Sequence, residues 1–205
     1  VDAEVEVRNE LDGKLTAFGD SFWQLVQDEH QPTADSLANK ALVAIAYTDP
    51  FLCNPGVLMM FGEVIDSLRE LLADRWQPQL VEVSTARLGS EQQRFWLHTN
   101  WGDDKKQAVI ESYLTQMNEQ NRRVVVIDKH QLPHYRRFKL SWSDGSETFV
   151  RLDQGFGAWF SQCEPRTAGP SDASEEEIVR FYFSQLDRIN VSTRNKPTPL
   201  TIKQR

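Results

Sequence analysis

The run ALVAIAYTD, residues 41–49, most constrains what this chain can fold into. It is almost uninterrupted apolar sequence, rich in small and branched residues, and its length suits a central strand covered on both faces. Asn54-Pro55 then supplies a cap and a first-turn proline for a long helix. That helix is expected from Pro55 to about Arg75, with Leu58, Phe61, Ile65, Leu68 and Leu72 on one face. Gln79 to Ala86 and Arg94 to Thr99 read as two further strands, separated by the polar LGSEQ turn. Asp103 opens another helix through about Gln120, and Val124 to Asp128 is the next buried strand. Strand, long helix, strand, helix, strand is the rhythm of an α/β sheet.

Tyr135 to Trp142 and Glu147 to Leu152 flank Ser143-Asp144-Gly145-Ser146, a strong hairpin signal. The hairpin adds an antiparallel portion, so the expected fold is α/β, a mixed β-sheet with helices on both faces. Ahead of the central run, Val1 to Glu10 alternates like a half-exposed strand. Thr16 to Glu29 carries Phe18, Phe22, Leu25 and Val26 at helical spacing, and the polar HQPTADS breaks that pattern. After the loop CEPRTAGPSDAS, Ser174 and Glu177 form a capping box for a last helix, Glu175 to Ile189. The tail RNKPTPLTIKQR is basic and expected to be loosely held. The chain divides into a lead-in strand and helix (1–40), an α/β domain (41–190) and a basic tail (191–205).

Charge narrows the function classes. The protein has a formal net charge of −7 and a sequence pI near 5.2, which argues against a broadly basic nucleic-acid coat. Within it, Arg122 to Lys139 carries six Lys/Arg and one Asp (6 − 1 = +5), together with His130 and His134. A reversal of sign beside an apolar strand suggests an anion pocket at a strand end, with phosphate the first candidate. Two cysteines, Cys53 and Cys163, form neither a disulfide framework nor a zinc pattern, which fits a reducing, cytoplasmic setting. No metal and no cofactor are expected, since P-loop, G-x-G-x-x-G, G-x-S-x-G and H-E-x-x-H signatures are absent. No apolar run reaches 18 residues, so no membrane span is expected. The first residue is Val rather than Met, which fits a domain cut from a longer parent chain.

Three stretches carry candidate chemistry. In His134-Tyr135-Arg136-Arg137, a histidine and an arginine two apart on a strand would share a face. His134 would act as nucleophile or acid and Arg136 as the forked phosphate donor. Arg137, Lys139 and Arg151 extend the phosphate-binding set; read blandly, Arg136, Arg137 and Lys139 are ordinary solvated strand residues. In LDQGFGAW, residues 152–159, two glycines let the backbone approach a ligand beside Gln154, or simply turn the chain with Phe156 and Trp159 in the core. In FWLHTNWGDD, residues 95–104, polar residues including His98 gather where a strand meets a helix, although Asp103 and Asp104 oppose an anion there and are better read as caps. Tyr47-Thr48-Asp49-Pro50 is turn chemistry first and a site second. Exposed Trp101, Trp142 and Trp159 would instead mark a protein-interaction surface.

Taken in order, YTDPFL, the long helix, LHTN, RVVVID and HYRRFKLSWSDGSETFVRLDQGFGAWF resemble the phospholipase D-like fold over roughly Leu42 to Phe160. The resemblance is to its divergent form at the C-terminus of proteins with a microtubule-interacting and trafficking domain, and to bacterial relatives fused to helicase or defence-associated proteins. LDGKLTAFGDSFWQLV is similar to linkers that follow the motors of such helicases. Active members use H-x-K-x-x-x-x-D twice. Here His134-x-Arg136 replaces H-x-K, Ser141 stands where the aspartate would, and His98-x-Asn100 is at best a remnant of the second copy. The resemblance implies an accessory, non-catalytic domain that binds phosphate or nucleic acid within a larger nucleic-acid-processing protein such as a helicase. The alternative it implies is a degenerate phosphodiesterase with His134 and His98 opposed, the second histidine supplied by the same chain or by a homodimer partner.

Overall fold

The computed structural model describes residues 4–9, 11–52, 55–87, 103–117, 119–156, 160–163, 174–192 and 198–205. In chain order the elements are β1 (Glu4–Asn9), β2 (Gly13–Lys14), α1 (Phe18–Glu29), α2 (Gln31–Asn39), β3 (Leu42–Thr48), α3 (Pro55–Leu72) and β4 (Trp76–Arg87). They continue with α4 (Asp103–Gln116), β5 (Arg122–Asp128), β6 (Arg136–Trp142), β7 (Glu147–Leu152), β8 (Phe160–Cys163), α5 (Glu175–Phe183), β9 (Ile189–Ser192) and β10 (Thr198–Gln204). Seven strands form one sheet in the order β1-β10-β7-β6-β3-β4-β5, and β2-β9-β8 form a second, smaller one. Strands β3, β4 and β5 run parallel, while β3-β6, β6-β7, β7-β10 and β10-β1 are antiparallel.

Side-chain alternation separates the large sheet into two unlike faces. Tyr47, Phe138, Val150 and Ile202 are register partners across β3, β6, β7 and β10, and all are fully buried. One residue along each strand, Ala46, Lys139, Phe149 and Lys203 are also partners, and these are only half-buried. The helices cover the first face. Phe61 of α3 stacks on Tyr47 with ring centroids 4.9 Å apart, and Phe22 of α1 lies 6.3 Å from Phe138. Tyr113 of α4 stacks on Phe183 of α5 at 4.8 Å, and Gln204 of β10 donates to Ser36 of α2. Parallel strands joined in one lateral direction by right-handed crossovers place their helices on one side. Among the described residues all five α-helices lie on that side, so helices on both faces are not found there.

Several other expectations change. Among the described residues the run over β3 is covered by helices on one face, and Ala44 and Ala46 point to the other, where a small side chain presents little apolar surface. Strand β5 is an edge, with Val124 buried and Val125, Val126 and Ile127 half-buried. HQPTADS does break the first helix, at His30, but the chain then starts a second one, with Pro32 in the first turn of α2, where its missing N–H has no intrahelical role. The tail expected to be loose is β10, hydrogen-bonded between β1 and β7. The last helix ends at Phe183, and the chain re-enters a sheet as β9. Its capping box is present, with Ser174 N–H donating to Glu177 Oε2 at 2.9 Å and Glu177 N–H to Ser174 Oγ at 3.4 Å. The hairpin turn follows its sequence signal, with Gly145 at φ +84°. The expected strand Arg94 to Thr99 and the LGSEQ turn lie outside the described residues.

Helices α1 and α3 are tied by Trp23 Nε1–H donating to the Val64 carbonyl at 2.7 Å. Beside this contact Glu63 is partly buried. That burial, reinforced by Asp66, Asp20, Glu70 and Asp187, raises its carboxyl from 4.5 to about 7. The folded state therefore keeps a proton that the unfolded chain releases, and stability is lost as pH rises from about 4.5 to about 7. Glu63→Gln should flatten that part of the curve in thermal melts taken across the range. A second test contrasts neighbours on β6. Phe138→Ala should cost about 3–5 kcal/mol in urea unfolding, whereas Lys139→Ala, on the open face, should stay within about 1 kcal/mol of the parent.

Candidate functional site

Charge collects in two places, one on each side of β6. The inner one forms at the carboxyl end of β3, where Asp49 is 1% exposed. Tyr47 Oη–H donates to Asp49 Oδ2 at 2.9 Å, and the Phe51 N–H donates to Oδ1 at 2.8 Å. Arg136 Nε stands 3.8 Å from Oδ1, too far for a hydrogen bond, and is buried without a hydrogen-bond partner. The rest of that guanidinium is held firmly. Nη1–H donates to the Asp153 carbonyl at 2.9 Å, and the group lies over the Phe51 ring, 4.8 Å from its centroid. Gly155 makes the approach possible, since it adopts φ +66° and a Cβ there would come within 2.9 Å of Arg136 Cδ.

Burial raises the Asp49 carboxyl above the usual range. The hydrogen bonds from Phe51 and Tyr47, and the fields of Arg136 and buried Lys106, oppose this without cancelling it. The arrangement joins the end of β3, the start of β6 and the turn after β7 through Arg136, which faces Asp49 on one side and donates to Asp153 on the other.

The outer place is the open face of the sheet around Phe149. Lys139 of β6 and Lys203 of β10 are its register partners on either side. Arg137 is directly opposite Arg151. Arg205 continues the ladder, exchanging backbone hydrogen bonds of 2.8 and 2.9 Å with Glu147. The Arg137 guanidinium lies 4.8 Å from the Phe149 centroid and 4.5 Å from that of Tyr135, and the Arg205 guanidinium lies 5.8 Å from Phe149. Glu147 pairs with Lys139, and Glu4 pairs with Lys203 at 3.8 Å.

Neither Arg137 nor Arg151 has a carboxylate ion pair among the described residues. Like charges directly opposite on a sheet repel, and an anion lying between them removes that repulsion. Beside them Thr48 and Ala46 keep the surface of β3 low, and Glu82 and Ser84 of β4 lie opposite these two.

The residues expected to form one phosphate set are therefore divided. Arg137, Lys139 and Arg151 share the open face, while Arg136 turns inward to Asp49. His134 is exposed in the bend ahead of β6 and is not part of the strand, so strand alternation does not bring it onto a face with Arg136. His130 is also exposed, in the single 3₁₀ turn after β5. Gln154 is exposed and donates to Asp153 Oδ2 at 3.1 Å. His98, Asn100, Trp101 and Trp159 lie outside the described residues. Trp142, expected on a partner surface, is buried and donates its indole N–H to Thr148 Oγ1 at 2.9 Å. Phe149, Lys203 and Arg205 escape a reading of the basic segment alone, because they join it only through the pairing of β7 with β6 and β10. Among the described residues no group of His, Cys, Asp and Glu is placed to hold a metal ion, and no helix is long and apolar enough to cross a membrane.

Among the described residues these features define a mixed α/β domain with its helical layer on one side of the sheet and a basic, aromatic-centred surface on the other. The model of the family described as DEAD/DEAH box helicase YjiV, C-terminal domain, matches residues 1–204, and the chain belongs to that family. None of the curated proteins matches it. The family's description makes such a chain an appended domain of a larger helicase.

The inner cluster gives a stability test. Arg136→Ala strips the nearest cation from a buried carboxylate and should cost about 3–5 kcal/mol. Asp49→Asn introduced into that variant should recover part of the loss. Urea unfolding of both single variants and the double variant measures the coupling between the two positions.

Proposed function

We propose that this domain is an accessory, non-catalytic module that holds the phosphate backbone of nucleic acid for the helicase to which it is appended. The observation that carries the reading is the set of Arg137, Lys139, Arg151, Lys203 and Arg205 around Phe149 in a protein of net charge −7: Glu147 and Glu4 pair with the two lysines, and Arg137 and Arg151 have no carboxylate ion pair among the described residues. A local surface of opposite sign to the whole draws a polyanion to one face and leaves the rest repulsive. The family's helicase context supports it. The phospholipase D-like resemblance supplies an ancestry in which a phosphate-holding fold has lost its hydrolytic residues. The phosphodiesterase alternative draws less support, since His134 is exposed in a bend and Arg136 faces the core.

Phosphate contacts release counterions, so affinity should fall steeply with salt. Fluorescence anisotropy with a labelled mixed-sequence DNA strand, between about 50 and 200 mM salt, should show a linear loss of log affinity. The double variant Arg137→Ala, Arg151→Ala should bind more weakly and reduce the slope by about 1–2. Binding insensitive to salt, or unchanged in that variant, refutes the reading.

A further inference from the structure

Building on the phosphate-binding reading, we infer that the ligand of the open sheet face is a single strand of nucleic acid, with a base stacked over Phe149 in the place that the Arg137 guanidinium takes in the free chain. The cations do not line a groove or flank an edge. They gather at an aromatic ring that the sheet holds on its open side, with Lys139 and Lys203, each ion-paired to a glutamate, as its direct neighbours and the guanidinium groups of Arg137 and Arg205 over the ring at 4.8 and 5.8 Å. A planar base can stack on an aromatic ring or on a guanidinium plane while its own phosphates meet the surrounding ammonium and guanidinium groups.

A duplex makes no use of this arrangement. Its base faces are stacked on one another and cannot reach an aromatic ring on the sheet. A single strand can lie flat and turn its bases toward the protein. The surface leading from Phe149 across β6 to β3 suits this, because Ala46 and Thr48 rise little above the backbone; on β4 beyond them Ser84 is small, and Glu82 is paired with Arg123. Arg151, opposite Arg137, adds a phosphate contact on the far side of the hairpin.

The face also has a rival occupant, an acidic polypeptide, which would satisfy the same cations. The aromatic centre favours nucleic acid, since stacking is the one interaction in this constellation that carboxylate side chains cannot make.

The test uses the whole chain at low salt with four labelled probes: oligothymidylate, a blunt duplex, an abasic strand of the same length, and polyglutamate. Oligothymidylate is expected to bind about tenfold or more tightly than either the duplex or the abasic strand. Phe149→Ala is expected to erase that advantage and leave abasic binding unchanged. Phe149→Leu, which keeps apolar bulk under the arginines, should melt like the parent and lose the same advantage, and Phe149→Trp should restore it. Equal binding of oligothymidylate and the abasic strand, or a preference for the duplex, overturns the single-strand inference and leaves phosphate binding standing. Capture of polyglutamate without nucleic acid, or no binding of any probe, overturns both.

Discussion

Phe138 is the residue through which the layers meet. Its ring lies 4.4 Å from Tyr47 of β3, 5.9 Å from Phe61 of α3 and 6.0 Å from Phe156 in the turn after β7. Phe22 and Trp23 of α1 stand at 6.3 and 6.4 Å. Burying this ring decides which side of β6 is inward, and the period of two then decides everything else on the strand. Leu140 and Trp142 follow it into the core, and Arg137 and Lys139 are sent outward. A slip of one residue would bury two cations under the helices, so the basic face is enforced by the aromatic core behind it.

Arg136 and Arg137, adjacent in sequence, show how far environment separates identical side chains. Arg136 is confined among Asp49, Phe51, Asp153 and Gly155, where low polarity makes each missing partner costly. Arg137 lies flat against Tyr135 and Phe149 at the surface, where solvent screens its charge and leaves it available. The first holds strand ends together; the second is placed to meet something outside the fold.

What could be read from the sequence was local. The hairpin at residues 143–146, the long helix from Pro55 and the Ser174–Glu177 box rest on turn, proline and capping chemistry within a few residues, and each is present. Strand β10 was hidden because half of its side chains lie on the open face, so PLTIKQ looks too polar for an interior strand. The one-sided sheet was hidden by alanine, which counts as apolar in a run yet tolerates the exposed side. The candidate surface was half legible for the same reason. Arg137, Lys139 and Arg151 stand out as charge, while Phe149, Lys203 and Arg205 acquire meaning only from antiparallel registers that join residues far apart in the chain.

The pairing of β1 with β10 sets how the domain responds to being pulled. Glu4 lies opposite Lys203 and Asn9 opposite Thr198, so residues 4 and 203 are at the same end of one antiparallel ladder. Tension between them opens that ladder one rung at a time, the low-force direction, whereas a shearing load would have to break all the rungs together. β1 would peel away first, and β10 would still be held by β7 through its register from Leu200 to Gln204. The fold thus has a separable outer strand: with β1 detached, β10, β7 and β6 would still be paired around Phe149.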